Sequence, residues 1–294
     1  SLYKKYVKED IFMQQNLELI AAYFTIGGDV YPGAPSEVSP FSFAHRVQAA
    51  AEAGYKGVGL VHNDLMAVAD KLGYKQMRQI LNEFGMKYFE IEILEHWYRS
   101  GEIRRQSDKI RTEMLEVAAE VGVSTIKLGS GPADDPLNID LMTENFAKIA
   151  DQAAASDTAI MIEFMPFCNL NTLAPAVEIA KNANRKNAGI LLDIWHMARA
   201  NVDFNDIRSI PKHLIKGIEL DDADRYPFEN LFLDTIHKRQ LPGDGDLDIA
   251  LFIDAVKSTG YDGPWGVEVI SEVLRKKPLQ QMAQKSFEKT IKFF

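Results

Sequence analysis

Eight short apolar runs, each followed by a segment with helical periodicity, limit what this chain can fold into. The runs fall near 17–24 (LELIAAYF), 56–61 (KGVGLV), 86–94 (MKYFEIEIL), 124–129 (STIKLG), 159–165 (AIMIEFM), 188–193 (AGILLD), 213–220 (HLIKGIEL) and 265–270 (WGVEVI). Amphipathic segments lie between them at 41–54, 64–84, 105–121, 139–155, 173–184, 246–259 and 278–293, with a short, weak one near 203–211. Strand followed by helix, repeated, builds βαβ units and a parallel sheet. Eight such units in 294 residues predict a closed (β/α)₈ barrel rather than an open doubly wound sheet. A dinucleotide-binding sheet would need a glycine fingerprint after its first strand, and neither FTIGGDVYPG nor the later GSGPADD supplies it. Length alone allows two domains at about 150 residues each. No linker, low-complexity segment or composition shift divides the chain, so a single α/β domain over 1–294 is expected, with 25–40 and 221–245 as loops over the barrel mouth.

Composition narrows the function. The formal net charge of -9 argues against a nucleic-acid surface, which normally shows as a basic face. The single cysteine, Cys168, cannot form an internal disulfide, so a reducing, cytoplasmic setting is expected. No apolar run approaches the roughly 18 residues that span a bilayer. The N-terminal SLYKKYVKEDIF is polar and lacks a signal-peptide core.

Barrel enzymes place their sites at the C-terminal ends of the strands, and side chains alternate along a strand. In AIMIEFMPF, Ile160, Ile162 and Phe164 form one row, leaving Met161 and Glu163 facing inward. In GILLDIWH the inward row holds Leu191 and Asp193. In LIKGIELD, Leu214, Ile218 and Leu220 form the outer row, with Lys216 an exception, and Ile215, Gly217, Glu219 and Asp221 face in. In WGVEVIS, Gly266 and Glu268 face in. Four successive strands therefore aim one acid each at the same space. Like charges held that close cannot all ionise without a cation or large pKa shifts. A divalent metal resolves the conflict, and an oxygen-rich set suits Mg²⁺ or Mn²⁺ better than Zn²⁺.

The motifs IEFMPF around Glu163, LLDIWHMAR around Asp193, IELDDADR around Glu219, LPGDGDLD at 241–248 and GYDGPWGVEVIS at 260–271 carry a resemblance. The chain resembles the xylose isomerase-like TIM barrel superfamily, which includes sugar isomerases, D-tagatose 3-epimerase-type ketose epimerases, inosose dehydratase, 3-dehydroshikimate dehydratase and endonuclease IV. In the ketose epimerases a Glu, Asp, His, Glu set from strands five to eight holds a metal, and the first and last Glu also transfer protons. The resemblance implies that Glu163, Asp193 and Glu268 are ligands, that Glu163 and Glu268 are catalytic, and that the third ligand position falls on Glu219. This last is a departure, since Glu adds a negative charge where a neutral His is usual. It further implies substrate contacts at His196, three residues after Asp193, at Arg225, six after Glu219, and at Asn169, where an acid is usual. Asp222 falls where relatives often carry an Asp beside the substrate, and dimers and tetramers are common in the group.

In the first half of the chain, His62 and Asp64 end strand two, Glu95, His96 and Trp97 follow strand three, and Lys127 lies in strand four. Trp97 or Trp195 offers a ring that packs on the apolar face of a sugar. The expected chemistry is proton abstraction next to the carbonyl of a small sugar or polyol, with return to the neighbouring carbon (isomerisation) or to the opposite face (epimerisation). The alternative is a lyase that loses a β-hydroxyl from a keto-polyol such as an inosose or dehydroshikimate. Endonuclease chemistry would need many histidines and a basic surface, and a non-catalytic sugar-binding barrel would need no paired acids.

Overall fold

A computed structural model describes residues 17–294, so the N-terminal SLYKKYVKEDIF lies outside the described residues. The strands are β1 (Leu19–Ala21), β2 (Gly57–Val61), β3 (Tyr88–Leu94), β4 (Thr125–Leu128), β5 (Ala159–Glu163), β6 (Ala188–Asp193), β7 (Ile215–Leu220) and β8 (Trp265–Val267). They pair in chain order, all parallel, and β8 closes on β1: a single (β/α)₈ barrel. The helices alternate with the strands as the periodicity predicts. The expected 64–84 segment is two helices, His62–Leu72 and Tyr74–Glu83, because Gly73 between them takes φ +72°, a conformation that interrupts a helix and favours glycine. The weak 203–211 segment is a short 3₁₀ helix, Phe204–Ser209, and the 221–245 loop contains a two-turn helix, Leu231–His237. Among the described residues no helix is long and apolar enough to cross a membrane.

The apolar core lies between the outer faces of the strands and the surrounding helices. Ile160, Ile162, Ile190, Leu192, Ile218 and Leu220 belong to it, in the rows that alternation predicts. Inside, a (β/α)₈ barrel is ordinarily filled by layers of branched apolar residues. Here Met161 and Leu191 fill that role near Gly217, but Glu92, Lys127, Glu163, Asp193 and Glu219 continue the interior towards the C-terminal mouth, all buried. The β6–β7 register slips at Lys216, with Ile190 opposite Ile215 and Leu191 opposite Gly217. This bulge explains why Lys216 breaks the apolar outer row. It also brings the Leu214 carbonyl oxygen to 2.2 Å from where a Cβ at Gly189 would sit. Backbone cannot yield there as a side chain would, so Gly189→Ala is expected to destabilise the protein by about 1–3 kcal/mol, read as a lower urea midpoint; an unchanged midpoint would show that the bulge is adjustable.

Candidate active site

Glu163 and Asp193 are the last residues of β5 and β6, Glu219 lies near the end of β7, and Glu268 follows β8 directly. Each is at most 4% exposed. Each offers one carboxylate oxygen to a cluster whose four oxygens lie within 4.8 Å of one another. Glu163, Asp193 and His196 satisfy the same limit. The local structure explains part of the placement: Asp193 caps the helix Ile194–Arg199, its Oδ1 accepting the His196 amide at 3.0 Å, which turns the chain sharply and brings His196 over the strand ends.

Two buried cations hold this acidic nest together. Lys127 Nζ, from β4, lies 2.7 Å from Glu92, 2.8 Å from Glu219 and 3.1 Å from Glu268. Arg239 Nη1 donates to Asp193 at 2.7 Å and Asp221 at 2.6 Å, with Glu268 at 3.3 Å. Its other nitrogens reach Thr235, and its guanidinium lies over the Trp195 ring, 5.1 Å from the centroid. His196 Nε2 accepts from Arg239 Nη2 at 3.2 Å and stands 3.3 Å from Glu163 Oε1 without a hydrogen bond to it.

Electrostatics split the acids into two kinds. Burial pushes the Glu163 carboxyl up, but Lys127 and then His196 outweigh it and hold it below the usual carboxylate range. At Asp193 burial is likewise outweighed, first by Arg239. Burial and the Glu268 charge drive Glu219 well above its ordinary value, and burial does the same to Asp221 against the pull of Arg239. Glu268 is pushed up to about 8, chiefly by burial. Burial disfavours the charged forms of Lys127 and Arg239, but their carboxylate neighbours, Glu219 first for Lys127 and Asp193 first for Arg239, outweigh it and raise both well above their ordinary values. Glu163 Oε1, Glu219 Oε2 and Asp221 Oδ1 are buried without a hydrogen-bond partner. An orphaned buried carboxylate oxygen is costly, and two of these three belong to the four-acid cluster. That donor set fits a divalent cation, which lowers the pKa of every carboxyl it touches.

The cluster opens into a cavity of about 420 Å³ at the C-terminal mouth. Phe24, Ile93, Met165, Phe167, Phe232 and Ile236 form its apolar wall, and Glu92, Glu163, His196, Arg239 and Glu268 line its polar end. Size and lining match a small-molecule site, mostly apolar with a few convergent polar groups.

The structure brings some of the sequence-predicted residues to this cavity and leaves others outside it. His196 lines it, as does His62, whose Nε2 is 2.7 Å from Glu113. Asn169 ties loops together, its Oδ1 accepting the Gly131 and Leu170 amides and its Nδ2 donating to the Tyr98 hydroxyl. Trp97 is fully buried, donating to the Gly129 carbonyl at 2.6 Å and packing on Tyr98 and Phe146. Asp222 accepts the amides of Ala223, Gly243, Gly245 and Leu247, and so shapes the LPGDGDLD turn. Arg225 is exposed, its amide held by Asp246, and it does not line the cavity. Sequence reasoning missed Arg239, Glu92 and the importance of Lys127. Glu92 and Lys127 were findable, because YFEIEIL and TIKL alternate as the later strands do.

The fold and this carboxylate cluster define a (β/α)₈ barrel with an acidic, partly apolar cavity at its C-terminal mouth. The chain belongs to the xylose isomerase-like TIM barrel family, whose profile matches residues 47–293. It is 25% identical over 241 residues to a 3-dehydroshikimate dehydratase of Pseudomonas putida, covering 81% of this chain and 38% of that protein, so it spans well under half of that relative. It is 26% identical over 156 residues to an inosose isomerase of Bacillus subtilis, covering 52% of this chain and 54% of that protein. Among solved structures, the IOLI protein with a bound zinc atom superposes with a TM-score of 0.82 at 17% identity, over 94% of this chain and 98% of that one. D-psicose 3-epimerase from Clostridium cellulolyticum does so with a TM-score of 0.69 at 15% identity, over 94% and 99%. Members of the family thus include isomerases, epimerases and dehydratases.

Proposed function

We propose that the protein is a divalent-metal-dependent isomerase or epimerase that moves a proton at the carbon next to the carbonyl of a small sugar or polyol. The observation that carries this reading is the convergence of Glu163, Asp193, Glu219 and Glu268 within 4.8 Å, with orphaned oxygens on two of them, at the floor of a sugar-sized cavity. These four carboxyls would hold one cation, Mn²⁺ or Mg²⁺ for an all-oxygen set, which when bound supplies Lewis-acid stabilisation to the oxyanion of an enediolate. One of Glu163 and Glu268 removes the proton and the other returns one. His196, between Glu163 and Arg239, hydrogen-bonds a substrate hydroxyl. Lys127 offsets the extra charge that Glu219 brings to the third ligand position. The apolar wall keeps bulk water from the carbanion.

A second reading is dehydration, in which the same abstraction is followed by loss of a β-hydroxyl. The match to 3-dehydroshikimate dehydratases over 241 residues favours keeping it. Both readings predict the same first step. The protein is therefore expected to exchange the proton next to a substrate carbonyl with solvent deuterium, followed by NMR over a panel of ketoses and keto-inositols. Chelation should abolish the exchange and added Mn²⁺ or Mg²⁺ should restore it. Metal-independent exchange, or none on any member, would overturn the proposal.

A further inference from the structure

One titratable pair at the cavity takes no part in the proton transfers assigned so far. His62 directly follows β2 and opens the helix His62–Leu72. Its Nε2 is 2.7 Å from Glu113 Oε2, on the helix Gly101–Val117, and the two side chains are only 19% and 23% exposed. His62 lines the cavity, and its Nδ1 makes no hydrogen bond among the described residues and is not shut away from solvent. A carboxylate behind one ring nitrogen fixes the orientation of the ring and keeps that nitrogen's proton, leaving the other nitrogen to face a reactant. β2 and β6 are four strands apart in the closed barrel, counted either way. The His62–Glu113 dyad therefore stands across the mouth from Asp193, on the same cavity as Glu163 and Glu268.

The other lining groups are less suited to hand a proton to a substrate oxygen remote from the four acids. Glu37 accepts the Gly33 amide and the Asn63 side chain, and Glu92 is paired with Lys127. Arg239 already donates to Asp193 and Asp221, and His196 Nε2 accepts from it. Resting on the proton abstraction that both readings above share, we propose that His62 is a third catalytic residue, oriented by Glu113, and that it adds a dehydration activity to the site. Glu163 or Glu268 takes the proton next to the carbonyl, and the electron pair left behind forms a carbon–carbon double bond. The C–O bond on the adjoining carbon breaks, and its hydroxyl takes the His62 Nδ1 proton and leaves as water. The ring enters the step protonated at both nitrogens and ends it with Nε2–H on Glu113. Solvent then returns a proton to His62 and removes one from the carboxyl, so the net change is loss of one water. Epimerisation breaks no C–O bond and needs no such acid.

The test follows two rates on one sample of the Mn²⁺-loaded protein, with a keto-inositol and with 3-dehydroshikimate. Deuterium exchange next to the carbonyl is read by NMR, and water loss by the ultraviolet absorbance of the conjugated product. The wild type is expected to lose water from at least one of the two compounds. In His62→Gln water loss is expected to fall about 10²-fold or more relative to exchange. Glu113→Gln, which removes the orienting charge, is expected to lower the same ratio about tenfold. Loss of folded protein lowers both rates together and leaves the ratio unchanged, so a purely structural tie between the two helices does not mimic this result. An unchanged ratio in His62→Gln, or wild-type exchange with no water loss from either compound, would overturn the inference alone. Absence of both exchange and water loss in the wild type would sink the shared proton abstraction and this inference with it.

Discussion

Glu268→Gln is expected to lower turnover by roughly 10²–10⁴-fold while the protein still binds Mn²⁺. The carboxamide keeps the volume of the side chain and one oxygen donor, but it cannot take up or release a proton at neutral pH. Its surroundings favour retention of the fold: Lys127 at 3.1 Å and Arg239 at 3.3 Å both donate to Glu268, and the amide oxygen still accepts from one of them. The matching Glu163→Gln variant removes the other candidate proton carrier. If the two carboxyls act as a pair, one variant loses deuterium exchange outright, and the other still exchanges the substrate proton yet fails to convert it. Metal binding, followed by calorimetry, separates this outcome from simple loss of the cation. Unchanged turnover in Glu268→Gln would defeat the two-carboxylate mechanism.

Much of this site was legible because alternation in a strand is strict. Glu163, Asp193 and Glu219 sit on the inward row of three consecutive strands, and the same parity holds for Glu268 although β8 ends one residue earlier. The Glu268 amide still donates to the Leu220 carbonyl at 3.1 Å, so the ladder continues past the regular strand and keeps the side chain aimed inward. Two kinds of residue could not be placed this way. Asn169, Trp97 and Asp222 sit at motif positions, but their polar atoms are spent on loop backbone and, for the Asn169 amide nitrogen, on the Tyr98 hydroxyl. Only the hydrogen-bond inventory, which a linear pattern does not contain, reveals this. Arg239 lies in KRQLPGDGD, outside any periodic element. It reaches the barrel because Asp222 pairs with Gln240 and folds the 221–245 loop back over the strand ends. A contact created by loop closure has no signature in local spacing.

That loop-borne arginine also carries the largest expected effect on stability. Arg239→Met is expected to destabilise the protein by about 3–5 kcal/mol, because it leaves buried carboxylates without their counter-charge. Asp193 and Asp221 both receive their shortest charge-assisted bonds from its Nη1, at 2.7 and 2.6 Å. Asp221 is 1% exposed and its other oxygen already lacks a partner. Methionine fills much of the volume against Trp195, so the loss measures charge rather than packing. Removing the stranded acid as well tests this directly. The double variant Arg239→Met/Asp221→Asn should recover about 1–3 kcal/mol of the loss, since the two positions share one network. Urea unfolding of the wild type, both single variants and the double variant closes the cycle. A single-variant loss under about 1 kcal/mol, the scale of an exposed ion pair, would show that water or rearrangement compensates the acids. Absence of recovery in the double variant would show that Arg239 acts through Thr235 and Trp195 rather than through Asp221.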